Sequence, residues 1–256
     1  MATVGGCSAQ DSGGDRNGAD GQRIVRVAAA ADLKFALEEV KSALGQTNPD
    51  IDLRPTYGSS GTFFEQISNG APFDLYLSAD LSYPQQLADA GKADEADVFS
   101  YAVGRLAVWS ANGSPVDATK GLSVLTDPAV SKVAIANPAH APYGKAAVAA
   151  MQTAGVYDAV QPKLVLGENV AQAAEFAQSG NAQAGVIALS LAVSPQLSDK
   201  GRYAEVPVDS YPRIDQGGVV LSAATDVAAA RAVKDFLVSQ QGHDILKRYG
   251  FFRPGT

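Results

Sequence analysis

Residues 24–40 read IVRVAAAADLKFALEEV, and the architecture of the chain follows from them. The β-branched run at 24–27 is typical of a strand, and from residue 32 to residue 40 the apolar side chains recur at helical spacing. A strand followed at once by an amphipathic helix is the opening unit of an α/β fold. We therefore expect further pairs of this kind along the chain.

The alternation continues after residue 50. Strands are predicted at 51–55 and 73–77, and helices at 62–69 and 83–90, with a glycine directly after each helix. Three consecutive units predict a parallel, doubly wound sheet, because each helix carries the chain back to begin another parallel strand.

A second α/β set follows residue 104. An apolar strand at 218–221 and a single long helix at 227–249 come after this set, so we expect them to return to the first set. The elements predicted for the second set are strands at 105–109, 132–136, 163–166 and 184–188 and helices at 145–154 and 171–179.

These patterns predict two α/β lobes, each a mostly parallel sheet flanked by helices, with a ligand cleft between them. Crossing segments near 101–104 and 215–219 would join the lobes. We expect the first lobe to comprise residues 24–102 and 219–256 and the second to comprise residues 103–218.

Composition narrows the function. The chain has 256 residues, of which 46% are apolar, with one Cys and two His. A disulfide scaffold and a cysteine-based metal site are therefore excluded. The net charge of −7 favours neither nucleic acid nor an anionic membrane surface as a partner. No stretch approaches the roughly 20 apolar residues of a membrane span.

The N-terminal residues 1–23 are interpreted as a signal remnant and a flexible linker. VGGC at 4–7 resembles the end of a bacterial lipoprotein signal, in which the Cys is lipidated, and residues 8–22 form a Gly-, Ser- and Asp-rich spacer. This predicts a periplasmic or cell-surface protein that meets the membrane only through a lipid on Cys7. The alternative is a free Cys in an unstructured tail.

The sequence favours binding over catalysis. His140 and His243 are the only histidines, and neither has a recognisable nucleophile or acid beside it. No G-x-S-x-G, Walker or H-E-x-x-H motif occurs, and GSSG at 58–61 lacks the Lys of a phosphate-transfer loop. We therefore expect no enzymatic activity. The alternative is an α/β enzyme that acts on a small anionic metabolite with Asp32 as its acid or base.

Small and polar residues mark two junctions between a strand and the following helix. AAAD at 29–32 ends the first strand, and GSSGT at 58–62 ends the second. The first N–H groups of a helix lack intrahelical partners, so paired helix starts at neighbouring strand ends can bind an anion without cationic side chains. The alternative is ordinary helix capping by Ser, Thr and Asp.

Six segments taken in order resemble the molybdate-binding proteins of bacterial ABC transporters. The resemblance implies a type II periplasmic-binding-protein fold that closes around molybdate or tungstate, binds no other cofactor, and acts as a monomer that delivers its ligand to an ABC permease with its ATPase. The segments are AAAADL at 28–33, YGSSG at 57–61, GAPFDLYLSAD at 70–80, NPAHAPYG at 137–144, GENV at 167–170 and RYGF at 248–251.

The resemblance also implies the ligand-binding positions, which in that family supply hydroxyl and backbone N–H donors. Some members use a strand tyrosine at the position of Ala188, so Tyr143 is expected to supply the phenolic hydroxyl here, and Val170 to contribute its N–H. The implied positions are Ala31, Asp32, Ser59, Ser60, Tyr143 and Val170.

Asp32 departs from that pattern, because a carboxylate repels a dianion. The repulsion is about 4 kcal/mol per pair of unit charges at about 4 Å and an effective dielectric constant of about 20. Three arrangements stay open: Asp32 turns away to cap the helix while its N–H binds the ligand, Asp32 is protonated and donates, or the ligand carries a proton. The third arrangement favours a protonated oxyanion such as phosphate or arsenate.

Overall fold

The computed structural model describes residues 21–255. The predicted lipidation site, Cys7, lies outside the described residues. The strands are β1 (Arg23–Ala30), β2 (Ile51–Gly58), β3 (Leu75–Ser78), β4 (Ala93–Gly104), β5 (Leu106–Ala111), β6 (Val133–Ala136), β7 (Leu164–Gly167), β8 (Ala184–Ala188), β9 (Gly201–Glu205) and β10 (Ile214–Leu221).

Helices cover the faces of the sheets, and a short 3₁₀ helix at Ala31–Leu33 directly follows β1. The α-helices are α1 (Lys34–Thr47), α2 (Ser60–Ser68), α3 (Ser82–Asp89), α4 (Pro142–Thr153), α5 (Tyr157–Val160), α6 (Val170–Gln178), α7 (Leu189–Ala192), α8 (Val227–Val238) and α9 (Gln240–Arg248).

The strands of the described residues form two sheets of five. The first has the order β2-β1-β3-β10-β4 and the second the order β7-β6-β8-β5-β9. In each sheet only the fourth strand in this order, β10 or β5, runs antiparallel to its neighbours. The predicted two-lobe α/β architecture with mostly parallel sheets is therefore confirmed.

Strand register positions the two helix starts that carry the predicted ligand residues. β1 and β2 pair in parallel, and Ala30 lies opposite Gly58 at their carboxyl ends. Asp32 and Ser60 are each two residues beyond this pair, so both follow the same edge of the first sheet. Parallel pairing brings them together although they are distant in sequence.

The long C-terminal helix predicted at 227–249 is two helices. Ser239 separates α8 from α9 with an extended backbone, φ −69° and ψ 166°, and its hydroxyl accepts a hydrogen bond of 3.1 Å from the N–H of Gly242. Serine is among the preferred N-cap residues. The apolar periodicity continues across the break, which explains why the pattern predicted one element.

The sequence analysis did not predict β4 or β9, although it placed a crossing segment near 101–104, at the end of β4. β4 begins with ADEAD and exposes its first polar side chains, and β9 is a largely exposed edge strand. Neither segment has the apolar alternation by which a half-buried strand is detected.

The chain passes from one sheet to the other close to the predicted lobe boundaries. β4 of the first sheet ends at Gly104 and β5 of the second begins at Leu106, whereas the return occurs before Ile214, where β10 begins opposite Gly104. Residues 214–218, expected in the second lobe, thus belong to a strand of the first sheet. The division of the chain into lobes stays a prediction.

Each lobe has an apolar core between its sheet and its helices. Leu37, Leu77 and Leu237 are fully buried in the first lobe, as are Trp109 and Ile135 in the second. Within residues 21–255, none of the helices combines the length and apolarity needed to cross a bilayer.

Candidate ligand-binding site

The candidate site lies where the first lobe meets the second, at the carboxyl ends of β1 and β2. Asp32 and Ser60 are each 1% exposed, and Tyr143 of the second lobe is 2% exposed. Tyr143 is near the start of α4, which carries its hydroxyl across to the first lobe. The fold therefore buries polar groups from both lobes.

Ser60 presents a buried hydroxyl at the start of α2. Its Oγ accepts a hydrogen bond of 3.0 Å from the N–H of Ala79, and its carbonyl accepts one of 2.7 Å from the hydroxyl of Tyr76. A serine hydroxyl that accepts one bond still has its own proton to donate. Ser60 is thus held in place as a donor.

Ser59 links the lobes instead of capping α2. Its hydroxyl donates to the carbonyl of His140 over 2.6 Å. Nδ1 of His140 lies 2.9 Å from Oγ of Ser59. Because the hydroxyl proton is used by the carbonyl, Nδ1 is the donor in the second contact. The N–H of Gly61 donates to the same carbonyl over 2.9 Å.

Gly61 is required by this contact. A Cβ at position 61 would lie 2.5 Å from the carbonyl oxygen of His140, which is closer than a non-bonded carbon and oxygen can approach. Glycine therefore lets the backbone of α2 reach the second lobe.

Asp32 is the centre of a hydrogen-bond network between the lobes. Its Oδ2 accepts from the hydroxyl of Tyr143 over 3.0 Å and from Nε2 of Gln216 over 2.5 Å. Nε2 of Gln216 also donates to the Tyr143 hydroxyl over 3.0 Å, and the Tyr101 hydroxyl donates to Oε1 of Gln216 over 2.9 Å. In the described chain Oδ1 of Asp32 is buried and has no hydrogen-bond partner.

Gly104 makes room for this network. A Cβ at position 104 would lie 2.2 Å from the hydroxyl oxygen of Tyr143 and 2.7 Å from Nε2 of Gln216. The crossing segment between the sheets must therefore be without a side chain at this point.

Burial governs the charge of Asp32. Removal from water raises the pKa of its carboxyl from 3.8 to about 6, although the hydrogen bonds from Gln216 and Tyr143, and the nearby backbone dipoles of Asp32 and Leu33, act in the opposite direction. Burial, and then the negative charge of Asp32, hold the pKa of the Tyr143 and Tyr101 hydroxyls well above 10. Both phenols are therefore neutral donors at physiological pH.

The capping arrangement considered for Asp32 is not formed. The residues described at this helix start include no side-chain cap, and the Asp32 carboxylate points its bonded oxygen to Tyr143 and Gln216 instead. The backbone of Asp32 is held from the second lobe as well, because the Ser190 hydroxyl donates to its carbonyl over 2.8 Å. The hydroxyl of Tyr143, expected to donate to a ligand, donates its hydrogen bond to Asp32 instead.

Val170 begins α6 in the second lobe and is 4% exposed. Asn169 accepts from the N–H groups of Ala171 and Gln172 over 3.0 and 3.1 Å. The N–H of Val170, as the first residue of the helix, has no acceptor within the helix. α6 packs against the turn at Ala31–Leu33, so Val170 begins a helix that contacts the segment containing Asp32.

Ala31 contributes packing to this interface. It is 2% exposed and lies in an apolar cluster with second-lobe residues such as Ala141 and Leu189. The predicted positions on the first lobe, Ala31, Asp32, Ser59 and Ser60, therefore all contact the second lobe or lie beside groups that do.

A pocket of about 400 Å³ opens next to this region, between the lobes. Its wall includes Ala79, whose N–H binds Ser60, and Pro142, next to Tyr143. Asp32 and Ser60 do not line it, because both are buried between the lobes. Residues 21–255 contain no cluster of three or more His, Cys, Asp or Glu side chains that could hold a metal ion.

Comparison with known proteins assigns the family. The family of bacterial extracellular solute-binding proteins matches residues 25–252. The chain belongs to this family. It is 43% identical to the molybdate-binding protein ModA of Rhodobacter capsulatus over 195 residues, 76% of this chain and 75% of that protein. It is 37% identical to ModA of Azotobacter vinelandii over 227 residues, 89% of each chain.

A solved structure agrees with this assignment. The periplasmic molybdate-binding protein of Azotobacter vinelandii superposes with a TM-score of 0.83 at 28% identity, covering 90% of this chain and 99% of that one. The resemblance stated from the sequence motifs is confirmed by these matches.

Three residues of this bacterial extracellular solute-binding protein were missed as parts of the described interface: Tyr101, Ser190 and Gln216. Gln216 is fully buried on β10, and the apolar pattern used to predict that strand began only at residue 218. A glutamine in the middle of a Gly- and Val-rich strand was the available signal, since a buried polar side chain needs partners.

Proposed function

We propose that the protein binds molybdate between its lobes and delivers it to the permease and ATPase of an ABC transporter. The observation that carries the proposal is the buried, fixed hydroxyl of Ser60, which has a proton to donate beside the starts of two helices. The relatives that match most of the chain are named as molybdate-binding proteins, which supports the same ligand.

Neutral donors suit this ligand. The side chains bonded to Asp32 and Ser60 within the described chain are hydroxyls and an amide, and the backbone adds the N–H groups at the starts of α2 and α6. Such groups bind an anion through fixed dipoles. Tungstate has the same charge and tetrahedral shape, so we include it as a second ligand.

A protonated oxyanion such as phosphate or arsenate is a second candidate, because Asp32 brings a buried carboxyl group to the site. An ionised carboxylate accepts a hydrogen bond from a protonated oxyanion and repels a fully deprotonated one. The matched relatives are binding proteins, and we propose no catalytic activity for this chain.

The cellular setting is part of the proposal. We place the protein in the periplasm or at the cell surface as a monomer, with a lipid on Cys7 as its only membrane attachment. Lipid labelling of the wild-type protein and of Cys7→Ser tests the anchor: the variant should lose both the label and membrane association, and equal membrane association of the two would contradict it.

Calorimetric titration with molybdate, tungstate, sulfate, phosphate and arsenate tests the ligand. We expect saturable binding of one molybdate or tungstate per chain, with weaker binding of the other anions. Tighter binding of phosphate or arsenate would support the second candidate, and binding of none of the five would overturn the proposed function.

A further inference from the structure

We infer that binding of the oxyanion takes up one proton, which is then held between Oδ1 of Asp32 and an oxygen of the bound anion. This inference rests on the proposed function and adds to it the protonation state of the bound complex. The proton comes from solvent, and no covalent bond to the ligand forms or breaks.

The position of Asp32 supports this inference. Asp32 and Ser60 each lie two residues beyond the paired residues Ala30 and Gly58, at one edge of the sheet. An anion held by the hydroxyl of Ser60 therefore lies in the neighbourhood of Asp32. The Asp32 carboxyl cannot leave this neighbourhood easily, because Tyr143 and Gln216 hold its Oδ2.

The two carboxyl oxygens differ in their partners. Oδ2 accepts two hydrogen bonds, whereas Oδ1 is buried without a partner among the described residues. An unpaired buried oxygen costs about 1–3 kcal/mol, or more when it carries charge. A proton on Oδ1, shared with an oxygen of the anion, would give Oδ1 a hydrogen-bond partner. It would also neutralise the carboxylate charge that repels the anion.

Within residues 21–255, no cationic side chain pairs with the Asp32 carboxyl. The groups around its carboxyl are neutral: Gln216, the phenols of Tyr143 and Tyr101, and the hydroxyl of Ser190 on its carbonyl. A second negative charge next to it can therefore be accommodated most readily by uptake of a proton.

Three charged groups on the helices packed against the turn at Ala31–Leu33 are engaged elsewhere. Lys34 of α1 and Glu175 of α6 pair with each other at 3.3 Å on the exposed surface, and Glu38 of α1 accepts from Tyr57 of β2. Burial already raises the pKa of Asp32 to about 6 in the absence of an anion. Above that pH the free protein lacks the proton and must gain it on binding.

Calorimetry on the wild-type protein counts this proton. Molybdate titrations at pH 8 in Tris and in HEPES, which differ in ionisation enthalpy, should give an uptake of about one proton per bound anion. Between pH 7 and pH 8.5, where free molybdate is a dianion, the Kd should rise about tenfold per pH unit. Binding with no proton uptake and a constant Kd would overturn the inference.

Two variants sharpen the test. Asp32→Asn replaces the shared proton by an amide donor, so its Kd should stay constant from pH 7 to pH 8.5. Glu175→Gln removes an exposed carboxylate next to the same turn and should retain the wild-type slope. A wild-type slope in a folded Asp32→Asn protein would contradict the assignment to Asp32. If Asp32→Asn does not fold, the proton count of the wild type decides.

Failure of the proposed function is distinct from failure of this inference. A wild-type protein that binds no molybdate at any pH overturns both, whereas one that binds molybdate with the same Kd across the pH range overturns the proton uptake alone.

Discussion

Asp32 and Ser60 hold equivalent positions in the first lobe but differ in their hydrogen bonds. Both lie two residues beyond a paired strand end, and both are 1% exposed. Ser60 is fixed from within its own lobe, by Ala79 and Tyr76. Asp32 is fixed from both lobes, by Gln216 of the first and by Tyr143 and Ser190 of the second.

The two positions therefore suit different tasks, one of them binding of the anion and the other contact with the opposite lobe. A serine with a remaining proton suits donation to an anion, whereas a carboxylate that accepts from the opposite lobe couples the anion site to closure. The fold makes the two positions equivalent, and side-chain chemistry then assigns their roles. Each of the following predictions tests one side of this comparison.

Gln216→Leu should have the largest effect. It removes the 2.5 Å donor to Oδ2 of Asp32 and leaves the buried carboxyl with Tyr143 as its remaining side-chain donor. We expect the free energy of unfolding to fall by about 3–5 kcal/mol, because one hydrogen bond to a charged group and two hydrogen bonds with phenols are lost. Urea denaturation measures it. The exposed Gln86→Leu should change stability by less than about 0.5 kcal/mol, and equal losses would contradict the network.

Asp32→Asn should remove a pH dependence of stability. Folding raises the pKa of Asp32 from 3.8 to about 6, so the fold favours the protonated form. Its contribution is fully present below pH 3.8 and is lost as the pH rises to about 6, a change of about 3 kcal/mol. The stability difference between the variant and the wild type, measured in urea at pH 4 and pH 7.5, should shift in favour of the variant by most of this amount, about 2.4 kcal/mol. A constant difference would show that Asp32 has an ordinary pKa.

Ser60→Ala should weaken molybdate binding more than it weakens the fold. A hydrogen bond to a charged group contributes about 1.5–3 kcal/mol, so we expect a Kd at least about tenfold higher by calorimetry. Ser68→Ala, at the other end of α2, removes a hydroxyl that donates to the carbonyl of Phe64 and should leave the Kd unchanged. Unchanged binding by Ser60→Ala would exclude its hydroxyl as a ligand donor.

Glu175→Gln should have the smallest effect. Its ion pair with Lys34 crosses the lobes at 3.3 Å, but both side chains are substantially exposed, 60% and 39%. Exposed pairs contribute about 0–1 kcal/mol, so the Kd for molybdate at pH 7 should change by less than about fivefold. A larger change would show that this exposed ion pair, and not only the buried network around Asp32, contributes to molybdate binding.

Much of the fold was predictable because its signals are local. The strands at 24–27 and 184–188 and the helix start before residue 62 follow from β-branched runs, apolar periodicity and glycine positions. β4 and β9 were not predictable in this way, because their exposed polar residues depend on a neighbouring strand for their conformation. Ser239 ended a helix that the apolar pattern continued.

The candidate site was only partly predictable. Asp32, Ser60 and Tyr143 were identified from a family resemblance, and their role as ligand contacts stays a prediction. Gln216 was missed, because its importance lies in reaching Asp32 across 184 positions of the chain. The apolar periodicity of a single segment cannot predict a contact between two distant segments.

From the amino-acid sequence alone came the two α/β lobes, the family, and a binding surface built on helix starts, since strand and helix preferences act between near neighbours. Only the tertiary structure decided that the Asp32 carboxyl points to Tyr143 and Gln216 and leaves one oxygen unpaired. The physical reason is that burial and hydrogen bonding of a charge depend on groups from distant segments, which meet only in the folded chain.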